Sequence, residues 1–178
     1  MAQLEIKKYP NRSLRKKALK VGRVSSEERK ILADMTETMY SNNGIGLAAP
    51  QVGVSKELIV VDVGDGLVKF INPVLSDHEG SCSMEEGCLS VPDITASVRR
   101  AEKLYVTFLD EKGEVVKIFA EGLFARTIQH EIDHLKGRLI VDYLNPIKKF
   151  IARKKSSKNK LIFSCSSLTT KFRYGIKL

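Results

Sequence analysis

The stretch IQHEIDHLKG, residues 128–137, limits what this chain can fold into more than any other part of its sequence. It places His130 and His134 four residues apart, with Glu131 directly after the first histidine. Residues four apart on an α-helix lie one turn above each other on the same face, so both imidazoles can reach one ion. Glu131 then lies beside that ion. This HExxH arrangement predicts a metal site with a general base next to it.

Apolar residues around the two histidines favour a largely buried helix. These residues recur at helical spacing: Leu123, Phe124, Ile128, Ile132 and Leu135. Gly137 follows as a stop signal. HExxH also arises by chance in proteins that bind no metal, where the histidines are ordinary core or surface residues. Two imidazoles and a carboxylate are costly to bury without a partner, however, so the helical context favours the metal site.

A third protein ligand is expected for a hydrolytic metal site of this kind. In the familiar HExxH peptidases it lies downstream, but beyond His134 this chain contains no histidine and no glutamate. The candidates are therefore upstream: Cys88 in EEGCLSVP, Cys82 between two serines, His78 or an acidic residue. A thiolate is an excellent ligand for Fe(II), cobalt, nickel or zinc. Cys82 has the surroundings of an exposed loop residue, so the residues alone favour Cys88 without excluding the others.

Length and composition predict a single domain in a reducing compartment. The chain has 178 residues, which is ordinary for one domain with a proper core. Its three cysteines are an odd number, which fits a reducing cytoplasm better than a disulfide framework. No apolar segment approaches the roughly 20 residues needed to span a bilayer, and no apolar run follows the basic N-terminus. We therefore expect a cytoplasmic protein with no membrane contact.

Positive charge is concentrated at the C-terminus. The formal net charge is +9, and from Tyr143 onward the chain has ten Lys and Arg and no acidic residue. A run such as KKFIARKKSSKNK either keeps a terminus soluble or binds RNA phosphates. Pro146 marks the end of the predicted compact part. We therefore predict a domain over residues 1–146 and a basic C-terminal tail over residues 147–178.

The remaining segments predict an α+β fold. Ser25 begins SSEERKILADMTETMY with Glu28 three residues later, the pattern of a helix with a capping box. GIGLAAPQVG predicts a loop but lacks the further residues of a nucleotide-binding motif. KELIVVDVGDG and LVKFINPVLS predict strands, and KLYVTFLDEKGEVVKIFAEG predicts a hairpin that turns at residues 110–113. Several strands and two main helices without regular βαβ alternation indicate an α+β domain.

Three segments taken together resemble a known family. GIGLAAPQVG (44–53), EGCLS (86–90) and QHEIDH (129–134) resemble, in order and spacing, the motifs of bacterial peptide deformylase. The resemblance implies that residues 1–146 are a catalytic domain in which antiparallel β-sheets pack around a central helix with the HExxH motif. It also implies removal of the formyl group from the N-terminal formylmethionine of newly made proteins, with release of formate.

The resemblance further implies which residues form the site. The implied metal ligands are Cys88, His130 and His134, and the implied metal is Fe(II), replaceable by nickel, cobalt or zinc. Glu131 would take a proton from the attacking water, while the Gln51 side-chain amide and the Leu89 backbone N–H would stabilise the oxyanion. The implied substrate-binding residues are Ile45, Gly46, Gly87, Leu123, Arg126 and Thr127. Plain core packing is an equally good explanation for Leu123.

Two other functions remain open at this point. One is an HExxH zinc peptidase, although the missing downstream ligand argues against it. The other is a metal-stabilised RNA-binding protein, suggested by the basic tail. The expected partners are N-formylmethionyl nascent peptides and, through the basic tail, the ribosome, because many bacterial members of the family continue into a basic helix that docks there. The final segment LIFSCSSLTTKFRYGIKL departs from that pattern because it lacks helical periodicity.

Overall fold

The structure is a computed structural model that describes residues 2–152. Its two long helices are α1 (Ser26–Ser41) and α2 (Gly122–Leu135). Its strands are β1 (Gly46–Ala48), β2 (Leu58–Val61), β3 (Val68–Glu79), β4 (Cys82–Cys88), β5 (Val91–Arg100), β6 (Lys103–Leu109) and β7 (Val115–Glu121). Short 3-10 helices cover Arg12–Arg15, Ala49–Val52 and Ile140–Tyr143. Within this part of the chain, no helix is both long and apolar enough to cross a bilayer.

Helix α1 begins as the sequence predicts. The Ser25 side chain accepts a hydrogen bond from the Glu27 backbone N–H, and the Glu28 carboxylate accepts one from the Ser25 N–H at 2.9 Å. Both hydrogen bonds satisfy donors at the helix start that would otherwise lack partners. The predicted capping box is therefore confirmed. Three apolar residues of the inner face are fully buried: Leu32, Met35 and Met39.

Five strands form an antiparallel sheet in the order β1-β2-β3-β6-β7, while β4 and β5 form a separate two-stranded sheet. The predicted strands in KELIVVDVGDG and LVKFINPVLS are confirmed as β2 and β3, and the predicted hairpin as β6 and β7. The prediction of a loop was wrong for residues 46–48, which pair with β2. Cys82 is exposed as predicted, but it begins β4 instead of lying in a loop.

Alternation along β2 explains why the two helices lie on opposite faces of the five-stranded sheet. Leu58 and Val60 pack in the apolar cluster that contains the inner face of α1. Ile59 and Val61 pack in the cluster that contains the apolar side of α2. Successive side chains of a strand point to opposite faces, so one fully buried strand supports both clusters. The predicted α+β class with antiparallel sheets is confirmed.

A third apolar cluster joins the β4–β5 hairpin to segments near both ends of the described chain. Its buried members are Leu14, Val91, Ala96, Val98, Leu139, Ile140, Val141 and Ala152. Residues 146–152 are helical, so regular structure continues past the predicted boundary at residue 146. That boundary stays a prediction. Most of the predicted basic C-terminal tail lies outside the described residues.

Candidate metal and catalytic site

Helix α2 holds the two histidines in place through its apolar side. Ala125, Ile128 and Ile132 are buried against the five-stranded sheet. The helix ends at Leu135, and Gly137 follows with φ of 72°. A Cβ at this glycine would lie 2.5 Å from the backbone oxygen of Arg15, so only glycine fits there. The predicted stop signal is therefore confirmed and fixes where the helix ends.

One cysteine and the two histidines converge at the turn of the β4–β5 hairpin. Candidate ligand atoms of Cys88, His130 and His134 all lie within 4.8 Å of one another. The Cys88 Sγ atom is 3.2 Å from His134 Nε2, and the two imidazole centroids are 5.1 Å apart. The other two sequence candidates, His78 and Cys82, are exposed and stand apart from this group.

The spacing of these atoms fits one ion. A tetrahedral metal with bonds of about 2.3 Å to sulfur and about 2.1 Å to nitrogen needs ligand atoms roughly 3.4–3.6 Å apart. The 3.2 Å between Cys88 and His134 is close to that separation. A thiolate with two imidazoles suits Fe(II), cobalt, nickel or zinc better than magnesium or calcium. The residues present therefore fit a divalent transition metal.

A buried carboxylate, Glu86, orients the first histidine. His130 Nδ1 lies 2.9 Å from Glu86 Oε2, a separation at which the imidazole donates to the carboxylate and keeps Nε2 free as a ligand. Arg100 donates two hydrogen bonds to Glu86, of 2.7 and 2.9 Å, and Arg126 donates one of 2.7 Å. Burial alone would raise the pKa of Glu86, but hydrogen bonds from the histidine and the arginines outweigh it and lower that pKa to about 2. The carboxylate therefore stays ionised.

The two arginines also fasten the hairpin to α2. Arg126, on α2, donates to the backbone oxygens of Val98 at 2.9 Å and Cys82 at 2.6 Å. Arg100, on β5, donates to Asp133 of α2 at 2.9 Å. Arg126 lines the cavity as well, but its guanidinium donates its hydrogen bonds to Glu86 and to these two backbone oxygens. These bonds fix the position of the hairpin, and hence of Cys88 at the end of β4, relative to the histidines.

Glu131 lies between the two histidines in sequence and is almost completely buried, at 3% exposure. Its Oε2 atom has no hydrogen-bond partner among the described residues. Its Oε1 atom lies so close to Gly46 that a Cβ added there would be 2.6 Å away. Burial raises the pKa of Glu131 to about 7. Burial also lowers the pKa of His134 well below its ordinary value.

Gln51 approaches the same group of atoms from the 3-10 helix Ala49–Val52. Its Oε1 atom accepts a 2.7 Å hydrogen bond from the Ala48 backbone N–H. Its Nε2 atom lies 3.7 Å from Cys88 Sγ and 3.3 Å from the Ser90 hydroxyl. The side-chain amide therefore points its nitrogen toward the cysteine.

These residues open onto a cavity of about 420 Å³. The cavity is lined by Asn43, Gly44, Ile45, Gly46, Gln51, Glu85, Glu86, Gly87, Cys88, Leu89, Leu123, Arg126, Thr127, His130 and Glu131. It brings together every site residue predicted from the sequence except His134, which is 1% exposed and contacts Cys88 at 3.2 Å without lining the cavity. Leu123 is 49% exposed, so it is not a core residue.

Sequence reasoning assigned no role to Glu86, Ser90 or Arg100. Glu86 and Ser90 flank Cys88 within EGCLS, so their closeness to a candidate ligand could have marked them as site residues. Arg100 gave no such signal, because a charged residue at the end of a strand is usually exposed. Its partner Glu86 is 14 positions away in the sequence.

Comparison with known proteins agrees with this geometry. The family model described as polypeptide deformylase matches residues 3–150. A peptide deformylase of Thermodesulfovibrio yellowstonii is 49% identical over 160 residues, covering 87% of this chain and 97% of the relative. A peptide deformylase of Tolumonas auensis is 47% identical over 161 residues, covering 89% and 96%.

Solved structures give the same result. A peptide deformylase from Legionella pneumophila superposes with a TM-score of 0.85 at 42% identity, covering 92% of this chain and 98% of the other. One from Ehrlichia chaffeensis, in complex with actinonin, superposes with a TM-score of 0.87 at 37% identity, covering 89% and 98%. This chain belongs to the polypeptide deformylase family and is a hydrolase that removes the formyl group from nascent peptides.

Proposed function

We propose that Cys88, His130 and His134 bind the catalytic metal of this deformylase, with Fe(II) as the native ion and nickel, cobalt or zinc as replacements. The proposal is supported by the convergence of their ligand atoms within 4.8 Å and by the donor set of one thiolate and two imidazoles. When bound, the metal supplies a Lewis acid that lowers the pKa of a water molecule and polarises the formyl carbonyl. Metal analysis after anaerobic purification tests the identity of the ion.

Glu131 acts as the general base in this proposal. The observation that supports it best is a buried carboxylate oxygen, Glu131 Oε2, that has no partner among the described residues and lies next to the proposed ligands. Glu131 accepts the proton of the attacking water and passes it to the leaving amine. Formate and a free amino terminus result.

Two donors stabilise the oxyanion that forms on the formyl oxygen: the Gln51 side-chain amide and the Leu89 backbone N–H. Support comes from the position of Gln51 Nε2, 3.7 Å from the sulfur of Cys88. Leu89 follows Cys88 directly and lines the same cavity. The two donors therefore come from different segments that meet beside the proposed ligands.

The substrate occupies the cavity as an extended peptide with formylmethionine at its first position. Strand β1 (Gly46–Ala48) is at the edge of the five-stranded sheet, and an edge strand can pair with an added peptide. Ile45 and Leu123 are 44% and 49% exposed, so they offer apolar surface to the methionine side chain. The full proposed substrate-binding set is Ile45, Gly46, Gly87, Leu123, Arg126 and Thr127.

We further propose a cytoplasmic location, where nascent peptides are made, with residues 1–146 as the catalytic domain. The basic C-terminal tail, residues 147–178, contacts the ribosome. Lys148 and Lys149 are exposed and begin its run of positive charge. Phosphate groups of ribosomal RNA are the natural partners of such a run.

The decisive experiment compares formyl-Met-Ala-Ser with Met-Ala-Ser as substrates. We expect a new amino group from the formylated peptide only. Cleavage of the unformylated peptide would indicate a zinc peptidase instead, and tight RNA binding without hydrolysis would indicate an RNA-binding protein. Glu131→Gln should keep the metal but lower turnover at least about 100-fold, the usual scale for loss of a general base. Turnover close to that of the wild type would refute the proposed role of Glu131.

A further inference from the structure

The orientation of the Gln51 side chain is fixed by a contact that allows only one assignment. Its oxygen lies 2.7 Å from the Ala48 backbone nitrogen. A backbone N–H can only donate, so the amide atom that faces it must be the oxygen and not the NH₂ group. The Gln51 side chain is also almost fully buried, so its amide nitrogen must find partners within the protein.

Ser90 provides one of those partners. Gln51 Nε2 donates to the Ser90 hydroxyl at 3.3 Å, and Ser90 is fully buried. An amide nitrogen has two hydrogens, and Ser90 occupies one of them. Cys88 Sγ lies 3.7 Å from the same nitrogen, on the side of the proposed metal ligands. With one hydrogen held by Ser90, the other is donated to Cys88 Sγ and so points to the side on which the proposed metal ligands lie.

Backbone hydrogen bonds to one N-terminal segment hold Gln51 and Ser90 in place relative to each other. The Lys7 N–H donates to the Gln51 carbonyl at 2.7 Å, and the Tyr9 N–H donates to the Ser90 carbonyl at 2.8 Å. Lys8, between them, donates through its side chain to the Leu89 carbonyl at 2.5 Å. A single N-terminal segment therefore bridges the two segments that contain the proposed oxyanion donors. The distance between the Ser90 hydroxyl and the Gln51 amide is set by the fold.

We propose that Ser90 is a positioning residue for deformylation: its hydroxyl holds the Gln51 side-chain amide so that one N–H faces the developing oxyanion. This inference rests on the proposed role of Gln51 as an oxyanion donor. Ser90 is fully buried and is not among the residues that line the cavity, so we expect no direct contact between Ser90 and the substrate. Its contribution should therefore depend entirely on Gln51.

The test is a double-mutant cycle on formyl-Met-Ala-Ser. Ser90→Ala should lower kcat by about five- to tenfold, the scale of one neutral hydrogen bond, and leave KM within about twofold. Gln51→Ala should lower kcat by about 10²–10³-fold, as for other oxyanion donors. In the Gln51→Ala background, Ser90→Ala should cause no further loss, because the group it positions is gone. Ser13→Ala is the matched control, since the buried Ser13 hydroxyl has no partner among the described residues.

Each outcome separates the two proposals. An unchanged kcat for Ser90→Ala beside a large loss for Gln51→Ala would overturn the role of Ser90 alone. An equal loss from Ser90→Ala in both backgrounds would also overturn it, because Ser90 would then act through something other than Gln51. A near-normal kcat for Gln51→Ala would overturn the oxyanion role instead. Ser90→Cys, close to serine in size but a weak acceptor, should give an intermediate kcat.

A second measurement does not depend on turnover. The side-chain amide of Gln51 gives a pair of ¹H–¹⁵N peaks, which are identified by their loss in Gln51→Ala. In Ser90→Ala these peaks should shift, and the amide hydrogens should exchange with solvent at least about tenfold faster, because the buried group is no longer held. Ser13→Ala should leave both properties unchanged. Unaltered Gln51 peaks and exchange in Ser90→Ala would refute the positioning role even if kcat fell.

Discussion

Gly46 provides a sharp test of the proposed catalytic geometry, because a single added carbon there would meet Glu131. A Cβ at position 46 would lie 2.6 Å from Glu131 Oε1 and 2.7 Å from Thr127 Cγ2. Ordinary contacts begin at 3.4 Å, so the carboxylate must move by about 0.8 Å. Thr127 cannot easily give way, because its hydroxyl donates to the Leu123 carbonyl at 2.8 Å. Gly46→Ala therefore displaces the proposed base.

The size of the effect follows from that displacement. A shift of about 1 Å at a reacting group lowers the rate by roughly 100-fold, so kcat/KM of Gly46→Ala should fall by about that factor. Overpacking a buried site costs roughly 1–3 kcal/mol, so the free energy of unfolding should fall by that amount while the protein stays folded. Metal content should not change, because the clash involves no proposed ligand.

The assay is hydrolysis of formyl-Met-Ala-Ser, measured beside urea unfolding and metal analysis. Gly22→Ala is the matched control, since a Cβ at Gly22 would meet nothing within 4 Å. It should leave kcat/KM unchanged. Wild-type activity in Gly46→Ala would show that the position of Glu131 is not limiting. Loss of metal in Gly46→Ala would show that the clash acts on the ligands instead.

Three further outcomes are expected. Cys88→Ser should lose its metal or bind it much more weakly, because a neutral hydroxyl replaces a thiolate. Cys82→Ser should retain metal and activity. The reverse result would contradict the ligand assignment. Truncation after Ala152 keeps that buried residue, so it should preserve tripeptide hydrolysis. It should weaken the salt-sensitive co-sedimentation of the protein with ribosomes. Equal co-sedimentation of the truncated and full-length chains would contradict the proposed docking role. Hydrogen bonds from Lys56 and the N-cap serine lower the pKa of Glu28 to about 2, so its stabilisation is present above pH 4.5 and is lost as the pH falls toward 2. Glu28→Gln should therefore lower the free energy of unfolding by roughly 1–2 kcal/mol at pH 7 and by much less at pH 2, as urea titrations at both pH values would measure.

Local patterns predicted the elements whose causes are local. The capping box at Ser25, the β6–β7 hairpin and the end of α2 at Gly137 each depend on residues within a few positions of one another. The three motifs likewise pointed to residues that converge around the cavity. Neighbouring residues were enough to predict these elements because helix caps and turns are set by hydrogen bonds and backbone angles within a few residues.

The β4–β5 hairpin was missed because its inward side does not look apolar. Alternation along β5 places Ala96, Val98 and Arg100 inside, so a charged residue interrupts the pattern that predicts a half-buried strand. That arginine is buried because Glu86, on the partner strand, accepts two of its hydrogen bonds. A buried ion pair between two strands can be predicted only when the pairing of the two strands is known.

The separate two-stranded sheet has a consequence for how the site is built. Its strands share no ladder with the five-stranded sheet in the part of the chain that the structure describes. One of its residues, Cys88, meets two histidines of α2, so an ion shared by the three would cross-link the hairpin to the helix. A chelator would remove that cross-link, while the ion pairs of Arg100 with Asp133 and of Arg126 with Glu86 would still attach the hairpin to α2. Loss of the ion would therefore abolish the chemistry and remove one of the links between hairpin and helix, because the same three ligand atoms serve both.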